Sequence, residues 1–390
     1  MNQQRISSNN MSNVKSVAVN PRKNRLVSLD ALRGFDMLWI IGARAIADGF
    51  AEIRLPGFAV VADQLTHSKW NGFTFYDFIF PLFIFITGVS LVFSLQKRVL
   101  RGDDRGTIVK HILIRTAILF LLGIAYNGVD INRPLAEVRL MGVLQRSALC
   151  YFFASMFILY TKPCQQAVSV AGILAGYWVI MRFVPVPGFG AGVLTQEGNL
   201  AHYIDSLLLP GRLYSGSWDP EGLLSTIPAI ATCLLGGLAG YWLQLTESTF
   251  GRKLDSLKRA KYLFFAGLAL VAAGLVFSPI FPINKNLWTS TYVLLTGGLA
   301  TMLLAVFHWA IDIRGYNKWS FPFVVIGMNS IFIYLAARFV PFDKVADWLV
   351  GSPYLGFLGS GQTLITAMAQ LSLEGILLLW LYKRKTFIRI

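Results

Sequence analysis

Charged residues are scarce in this sequence of 390 residues. Asp, Glu, Lys and Arg together make up 14% of the chain, whereas 55% of its residues are hydrophobic. A soluble domain of this length usually carries about 25% charged residues. The composition therefore excludes an ordinary soluble enzyme and indicates an integral membrane protein.

Cysteine is rarer still, and several familiar catalytic patterns are missing. The three cysteines, Cys150, Cys164 and Cys233, are too scattered to indicate a disulfide framework or a metal site. The sequence shows no Ser-His-Asp order, no cluster of metal ligands, no Gly-rich phosphate loop and no internal repeat. Residues 1–25 are polar and basic, and the apolar run that follows is too long and too charged for a cleavable signal peptide. We therefore expect no metal, and we expect the first helix to direct membrane insertion.

Ten apolar stretches have the length needed to cross a bilayer, which is about 20 residues. They lie near 31–50, 72–96, 107–126, 139–160, 166–184, 221–245, 260–280, 287–311, 319–340 and 361–383. This pattern predicts an all-α fold, a polytopic membrane helix bundle of about ten transmembrane helices. Residues 1–24 are expected to form a polar cytoplasmic tail, and residues 25–390 a single transmembrane domain. The amphipathic stretch 341–360 is expected to lie on or dip into the outer face.

The net charge of +15 has two readings, a nucleic-acid partner or the excess of Lys and Arg in cytoplasmic loops. If the N-terminus is inside and the loops alternate, the inner loops hold most of the basic residues; Lys97, Arg98, Arg101 and Arg105 share one of them. The outer loops hold far fewer. The bias predicts that both termini are cytoplasmic, and it removes the need for a nucleic-acid partner.

The first predicted span is unusual because it carries charge. Its ionisable residues include Asp30, Arg33, Asp36, Arg44 and Asp48. Charge is costly in a bilayer, so such side chains face the protein interior or water. Spacings of three and four residues permit pairs on one helix face. Arg44 and Asp48 are equally well explained as a pair that neutralises itself, whereas Arg33, near the cytoplasmic end, is a candidate for holding an anionic ligand.

Two further features combine polar chemistry with a membrane setting. Gln145 and Arg146 lie in the fourth span, where they either bond to neighbouring helices or bind phosphate or amide groups. Among the four histidines, His111, His202 and His308 are expected to be structural. His67 differs because it lies at a water–membrane boundary, and an imidazole can exchange a proton near neutral pH.

Six sequence blocks carry a resemblance to a known family. They are "RLVSLDALRGFDM" (25–37), "HSKWNGFTFYDFIFPLFIFITG" (67–88), "RLMGVLQRSALCYF" (139–152), "DPEGLLSTIPAI" (219–230), "PINKNLWTSTYVL" (282–294) and "GMNSIFIY" (327–334). Together they resemble the heparan-α-glucosaminide N-acetyltransferase family of transmembrane acetyltransferases. The resemblance implies transfer of acetyl from cytosolic acetyl-CoA, the co-substrate, to the amino group of a glucosamine on the far side of the membrane.

The resemblance also assigns residues. The family's active-site histidine matches His67, and other matched blocks line its cofactor tunnel and reaction centre. The acetyl-CoA-binding candidates are Arg33, Gln145, Arg146, Asn284, Lys285 and Trp288. The animal lysosomal enzyme has a large luminal domain before the first block, whereas only residues 1–24 precede it here. The short form is similar to bacterial members that act on glucosamine or related amino sugars, which implies a bacterial inner membrane.

The expected chemistry is attack of an amine on a thioester. His67 would be the general base, and Asp30, Asp77 or Asp48 would fix its tautomer. Asn286, Asn71 or the Trp288 indole N–H would stabilise the oxyanion. We therefore expect His67, Asp30 and Asn286 to be catalytic residues and Trp70, Asn71 and Asp77 to bind the acceptor.

Several alternatives stay open. Direct transfer is favoured over a ping-pong route through acetyl-His67. The protein could instead O-acetylate a cell-surface polysaccharide or transport amino sugars, although a transporter predicts internal repeats. The oligomeric state is open, with a homodimer as one candidate.

Overall fold

The structure, a computed structural model, describes residues 26–53, 56–128, 137–214, 216, 218–244, 255–351 and 361–388. Within them the chain is almost entirely helical. The helices are α1 (Val27–Glu52), α2 (Pro56–Gln64), α3 (Phe75–Arg101), α4 (Arg105–Tyr126), α5 (Val143–Tyr160), α6 (Pro163–Phe183), α7 (Leu200–Leu208), α8 (Leu223–Gln244), α9 (Ser256–Phe277), α10 (Ser290–Phe307), α11 (Phe321–Met328), α12 (Ser330–Phe339), α13 (Phe342–Val350) and α14 (Gln362–Lys383). A π-helical turn, His308–Ile313, extends α10. Two short strands of two residues each, β1 (Pro185–Val186) and β2 (Gly190–Ala191), pair as an antiparallel hairpin.

Eight helices in the described part of the chain are long and apolar enough to cross a membrane. Helices α11 and α12, bent by 74° at their junction, would make a ninth span if they are counted together. Helix α1 has 26 residues but carries the charges noted above, so its composition alone does not mark it as a span. The predicted all-α polytopic membrane bundle is confirmed, and each of the ten predicted spans coincides with a helix or with the bent pair.

Two helix pairs at the centre of the bundle approach unusually closely, and glycine makes this possible. A Cβ atom on Gly88 of α3 would lie 1.8 Å from the carbonyl oxygen of Cys233 on α8. A Cβ atom on Gly34 of α1 would lie 1.7 Å from the carbonyl oxygen of Phe323 on α11. Small residues let transmembrane helices pack backbone to backbone. These contacts fix α1, which carries Asp30 and Arg33, and α3, which carries Asp77.

The loops that the sequence assigns to the outer side meet at one end of the bundle. Trp70 Nε1 donates to the Leu194 carbonyl oxygen at 2.8 Å, and Gly72 N donates to the Ile283 carbonyl oxygen at 2.9 Å. Arg139, before α5, forms an ion pair of 2.7 Å with Asp219. The loops that follow the first, third, fifth and seventh predicted spans are therefore neighbours. This is expected if successive loops lie on alternate sides of the membrane.

Two predicted segments lie partly or wholly outside the described residues. The N-terminal tail, 1–24, is one of them, and residues 352–360 of the amphipathic stretch are the other. The described part of that stretch forms α13, on which Val345 and Trp348 are exposed. Arg44 and Asp48 lie 4.0 Å apart and are largely exposed, which fits the self-neutralising pair.

Candidate active site

The start of α3 builds the centre of the site. Thr74 and Asp77 have the spacing of a capping box, in which an acidic side chain at the third helical position bonds back to the residue before the helix. Asp77 Oδ2 accepts from Thr74 N at 3.2 Å and from Thr74 Oγ1 at 3.1 Å. The positive end of the helix dipole also favours a carboxylate here. Asp77 is thereby held fully buried at the outer end of the bundle.

His67 lies directly against this carboxylate. Its Nδ1 is 2.8 Å from Asp77 Oδ1, and its ring stacks on Tyr76 with a centroid distance of 4.5 Å. An ionised carboxylate only accepts hydrogen bonds, so Nδ1 carries the proton and Nε2 keeps a lone pair. The side chain of His67 is 50% exposed, whereas that of Asp77 is 0% exposed. The arrangement presents an imidazole with a fixed tautomer at a position that is open from outside the protein.

Three carboxylates were candidates for the hydrogen bond to His67, and the structure shows which of them makes it. Asp77, expected to bind the acceptor, makes the contact with His67. Asp30, expected to be catalytic, lies 3.5 Å from Arg33 and lines a cavity in the other half of the bundle. Asp48 pairs with Arg44. The Thr-x-x-Asp spacing at 74–77 is the sequence signal that distinguishes Asp77.

Lys285, expected to bind the cofactor, lies beside His67 and Asp77. Its Nζ is 3.0 Å from His67 Nδ1, 2.9 Å from His67 Nε2 and 3.9 Å from Asp77 Oδ1. The pKa of Lys285 is lowered from its ordinary value because burial disfavours the ammonium, an effect that Asp77 and Glu221 oppose and Arg146 reinforces. A lysine 218 residues from His67 in sequence thus completes a His–Asp–Lys cluster.

The loop 282–289 is held rigidly beside this cluster. Asn284 donates from Nδ2 to Asn71 Oδ1 at 3.0 Å and accepts at Oδ1 from Leu287 N at 2.9 Å. Trp288 is fully buried with φ 50°, a left-handed conformation that bulky residues rarely adopt. Its Nε1 donates to Thr232 Oγ1 at 3.1 Å. Such strain persists only where the surroundings enforce it, and it often marks functional sites.

Arg146 and Gln145 lie beneath this loop and are fully buried. The Arg146 guanidinium stacks over Trp288 at 4.8 Å and donates through Nη2 to the Gly222 carbonyl oxygen at 3.3 Å and to Ser225 Oγ. Its Nε and Nη1, and both amide atoms of Gln145, have no hydrogen-bond partner among the described residues. Buried polar atoms are normally satisfied, so these unmet donors indicate a place for a polar ligand or water.

An aromatic and acidic cluster that sequence reasoning missed borders the outer face. Trp70 packs edge-on against His202 and Trp218, with centroid distances of 5.8 and 5.7 Å. Arg139 bridges Asp219 at 2.7 Å and Glu221 at 2.5 Å. These carboxylates lie in the block 219–230, but nothing in its spacing shows that an arginine from another loop would join them.

The remaining histidines occupy structural or inner positions. His202 is buried among Asn199 and Gln196, and burial lowers its pKa to about 4. His308 contacts Asp312 at 2.9 Å at the end of α10. His111 lines an inner cavity. His67 is the histidine that joins an exposed ring to a buried carboxylate.

Two adjoining cavities of about 340 and 270 Å³ lie in the half of the bundle away from His67. The larger is bounded by α1, α3 and the α11–α12 junction and contains Arg33, which donates to Ser90 Oγ at 2.6 Å. Both cavities touch Arg115 and Tyr151, and the smaller adds Arg98 and His111. The structure therefore does not bring Arg33 together with Arg146; the two cofactor candidates belong to opposite halves.

The residues that the structure describes contain no group of three or more His, Cys, Asp or Glu side chains able to hold a metal ion. The side chains that lie together at the candidate site are the His67 imidazole, the Asp77 carboxylate and the Lys285 amine.

Comparisons with known proteins concern the family to which the chain belongs. A family model described as heparan-alpha-glucosaminide N-acetyltransferase, catalytic, matches residues 25–203, which include Arg33, His67, Asp77 and Arg146. The human heparan-alpha-glucosaminide N-acetyltransferase is 32% identical over 320 residues, covering 69% of this chain and 48% of the human protein. The mouse protein of the same name is 29% identical over 340 residues, covering 72% of this chain and 51% of the relative. The chain thus spans about half the length of these curated relatives. It belongs to the heparan-α-glucosaminide N-acetyltransferase family.

Proposed function

We propose that the protein is a transmembrane acetyltransferase that moves acetyl from acetyl-CoA to the amino group of glucosamine or a related amino sugar. The observation that carries the proposal is the half-exposed His67 held by the buried carboxylate of Asp77 at the outer end of the bundle. A basic cavity in the opposite half complements it. The cytoplasmic membrane of a bacterium is the location proposed, with the amino sugar outside.

His67 acts as the general base in this proposal. Its Nε2 takes the proton from the acceptor amine, and Asp77 holds Nδ1–H and stabilises the imidazolium that forms. General-base catalysis of this kind is typically worth about 10²–10⁴-fold. Trp70 and Asn71, which flank the cluster at the outer surface, are the proposed acceptor contacts.

The inner cavities suit the charged end of acetyl-CoA. Arginine side chains bind phosphate through paired N–H groups, and Arg33, Arg98 and Arg115 all line these cavities. Ser90, which contacts Arg33, and Asp77 lie on the same helix, 13 residues apart in sequence (77 to 90). That separation is about 20 Å along the helix axis, so an extended pantetheine arm has to reach from the cavity to His67. Arg146, with its unmet donors, is the proposed contact near the thioester.

Direct transfer, with donor and acceptor bound together, remains the proposed route. The His67 side chain is 50% exposed. An acetyl-imidazole formed there would face water and would be open to hydrolysis before an acceptor arrives.

A matched set of acceptors tests the proposal. Purified protein with acetyl-labelled acetyl-CoA should acetylate glucosamine and leave N-acetylglucosamine unmodified, because the second sugar has the same ring hydroxyls but no free amine. The measurement is labelled product resolved by mass spectrometry. Comparable labelling of N-acetylglucosamine or glucose would identify an O-acetyltransferase instead. An absence of any acetylated sugar, with the donor bound, would contradict the proposed activity.

A further inference from the structure

We propose that Lys285 is a catalytic residue whose ammonium stabilises the oxyanion formed when the acceptor amine attacks the thioester. The inference rests on the proposed acetyl transfer and names a residue that neither the family resemblance nor the sequence assigned to this role. Asn286, Asn71 and the Trp288 indole were the sequence candidates for it.

The position of Lys285 follows from where the reacting atoms must lie. A proton donor to His67 has its nitrogen within about 2.6–3.2 Å of Nε2. In the intermediate this nitrogen is bonded to the former carbonyl carbon, and the oxyanion is one bond further. Lys285 Nζ lies 2.9 Å from the same Nε2. The ammonium therefore borders the space in which the oxyanion forms.

The other candidate donors in this region are neutral, and one of them is already engaged. Trp288 Nε1 donates to Thr232 Oγ1 at 3.1 Å, and Trp288 is fully buried in the loop core. Asn71 accepts from Asn284 Nδ2 through Oδ1 at 3.0 Å, which leaves its own N–H groups as neutral donors. No hydrogen bond joins Asn286 to another described residue, and it stays a secondary candidate. Lys285 differs from all of them because it brings a full positive charge and three N–H groups.

The surroundings keep this charge available and make it effective. Asp77 and Glu221 favour the ammonium, and Arg146 opposes it. The Lys285 side chain is 12% exposed, so little water screens its field. A fixed charge in such a site stabilises developing charge more than it would in water. Burial also lowers the pKa of Lys285, which brings loss of its proton closer to the pH range of an assay.

The reaction balances with Lys285 charged throughout. The amine lone pair forms the C–N bond, the carbonyl π pair moves to oxygen, and Lys285 donates a hydrogen bond to that oxygen. His67 Nε2 takes the proton from nitrogen. The oxyanion then re-forms the carbonyl, the C–S bond breaks, and the thiolate receives the proton from His67. The products are the N-acetyl sugar and CoA–SH.

Three variants test the role: Lys285→Met removes the charge at similar length, Lys285→Arg keeps a charge that is not lost in the assay range, and Lys344→Met is a control at an exposed lysine on α13. We expect Lys285→Met to lower kcat by about 10²–10³-fold, the usual effect of losing an oxyanion donor. The KM for each substrate should change by less than about threefold. Lys344→Met should match the wild type.

The pH profile of kcat is the deciding readout. The kcat of the wild type should fall at high pH as Lys285 loses its proton. The kcat of Lys285→Arg, even if it is lower than that of the wild type, should stay constant up to about pH 10. Guanidinium does not deprotonate in that range, so the basic fall should vanish. Donor binding by calorimetry checks folding, and if Lys285→Met fails to fold, the Lys285→Arg profile decides alone.

Two results would overturn the inference. One is a folded Lys285→Met protein with kcat within threefold of the wild type. The other is a Lys285→Arg profile that falls at high pH as the wild type does. Both require a wild-type protein that acetylates glucosamine, so they are distinct from failure of the proposed function, in which the wild type itself makes no product.

Discussion

Replacement of His67 by alanine should lower acetylation of glucosamine by about 10²–10⁴-fold, the usual contribution of a general base. The side chain is 50% exposed, so its removal opens no large core cavity. Folding and donor binding should therefore stay close to the wild type. Steady-state kinetics with glucosamine and calorimetric binding of CoA measure the two quantities separately.

A second substitution at the same position sharpens the result. In His67→Gln the amide can still bond to Asp77, but it cannot take a proton, so its activity should be as low as that of His67→Ala. Incubation with labelled acetyl-CoA alone then tests the route: direct transfer leaves no acetyl on the wild type, whereas a ping-pong route labels the wild type and spares both variants. Near-wild-type turnover of His67→Gln would refute the base assignment.

The second large effect is expected at Asp77. Asp77→Asn should lower kcat by about two to four orders of magnitude, because a neutral amide no longer fixes the Nδ1–H tautomer of His67 or stabilises its charged form. The KM for acetyl-CoA should change little, since the cavity proposed to bind acetyl-CoA, which contains Arg33, lies in the other half of the bundle.

Asp104 supplies a matched control for the capping role of Asp77. Its carboxylate caps α4 by accepting from Thr107 N at 3.1 Å, far from His67 in the sequence and in an exposed turn. Asparagine caps a helix about as well as aspartate does, so this change keeps the cap. Asp104→Asn should therefore lower thermal stability at most slightly and leave kcat unchanged. If Asp77→Asn showed only that small stability loss with normal turnover, Asp77 would be a cap and not part of the reaction centre.

The bundle could be predicted from sequence because its signals are local. Apolar runs of membrane length and the bias of Lys and Arg between loops do not depend on tertiary contacts. The 74° bend between α11 and α12 is different, because the stretch 319–340 is one apolar run in the sequence. The helix breaks at Asn329, whose side chain forms hydrogen bonds with residues near the C-terminus. Asn329 Nδ2 donates to the Thr386 carbonyl oxygen at 3.2 Å, and Ile388 N donates to Asn329 Oδ1 at 2.9 Å.

The site was predictable only in part, for the same physical reason. His67 stands out through its place at the water boundary, and Asp77 could have been chosen through its capping-box spacing. Lys285 could not have been chosen from the sequence. It lies 218 residues from His67 in the chain, and their contact depends on how two outer loops pack together. Likewise, Arg33 and Arg146 look alike in the sequence as arginines within predicted spans, and the fold alone assigns them to opposite halves.

The most direct test of the account is a transfer assay with the two substrates on opposite sides of a membrane. Protein is reconstituted into vesicles that hold glucosamine inside, and acetyl-labelled acetyl-CoA is added outside. The account predicts that labelled N-acetylglucosamine appears inside while the CoA released stays outside, and that vesicles with His67→Gln form none. Product that forms only when donor and acceptor share one side of the membrane would contradict it.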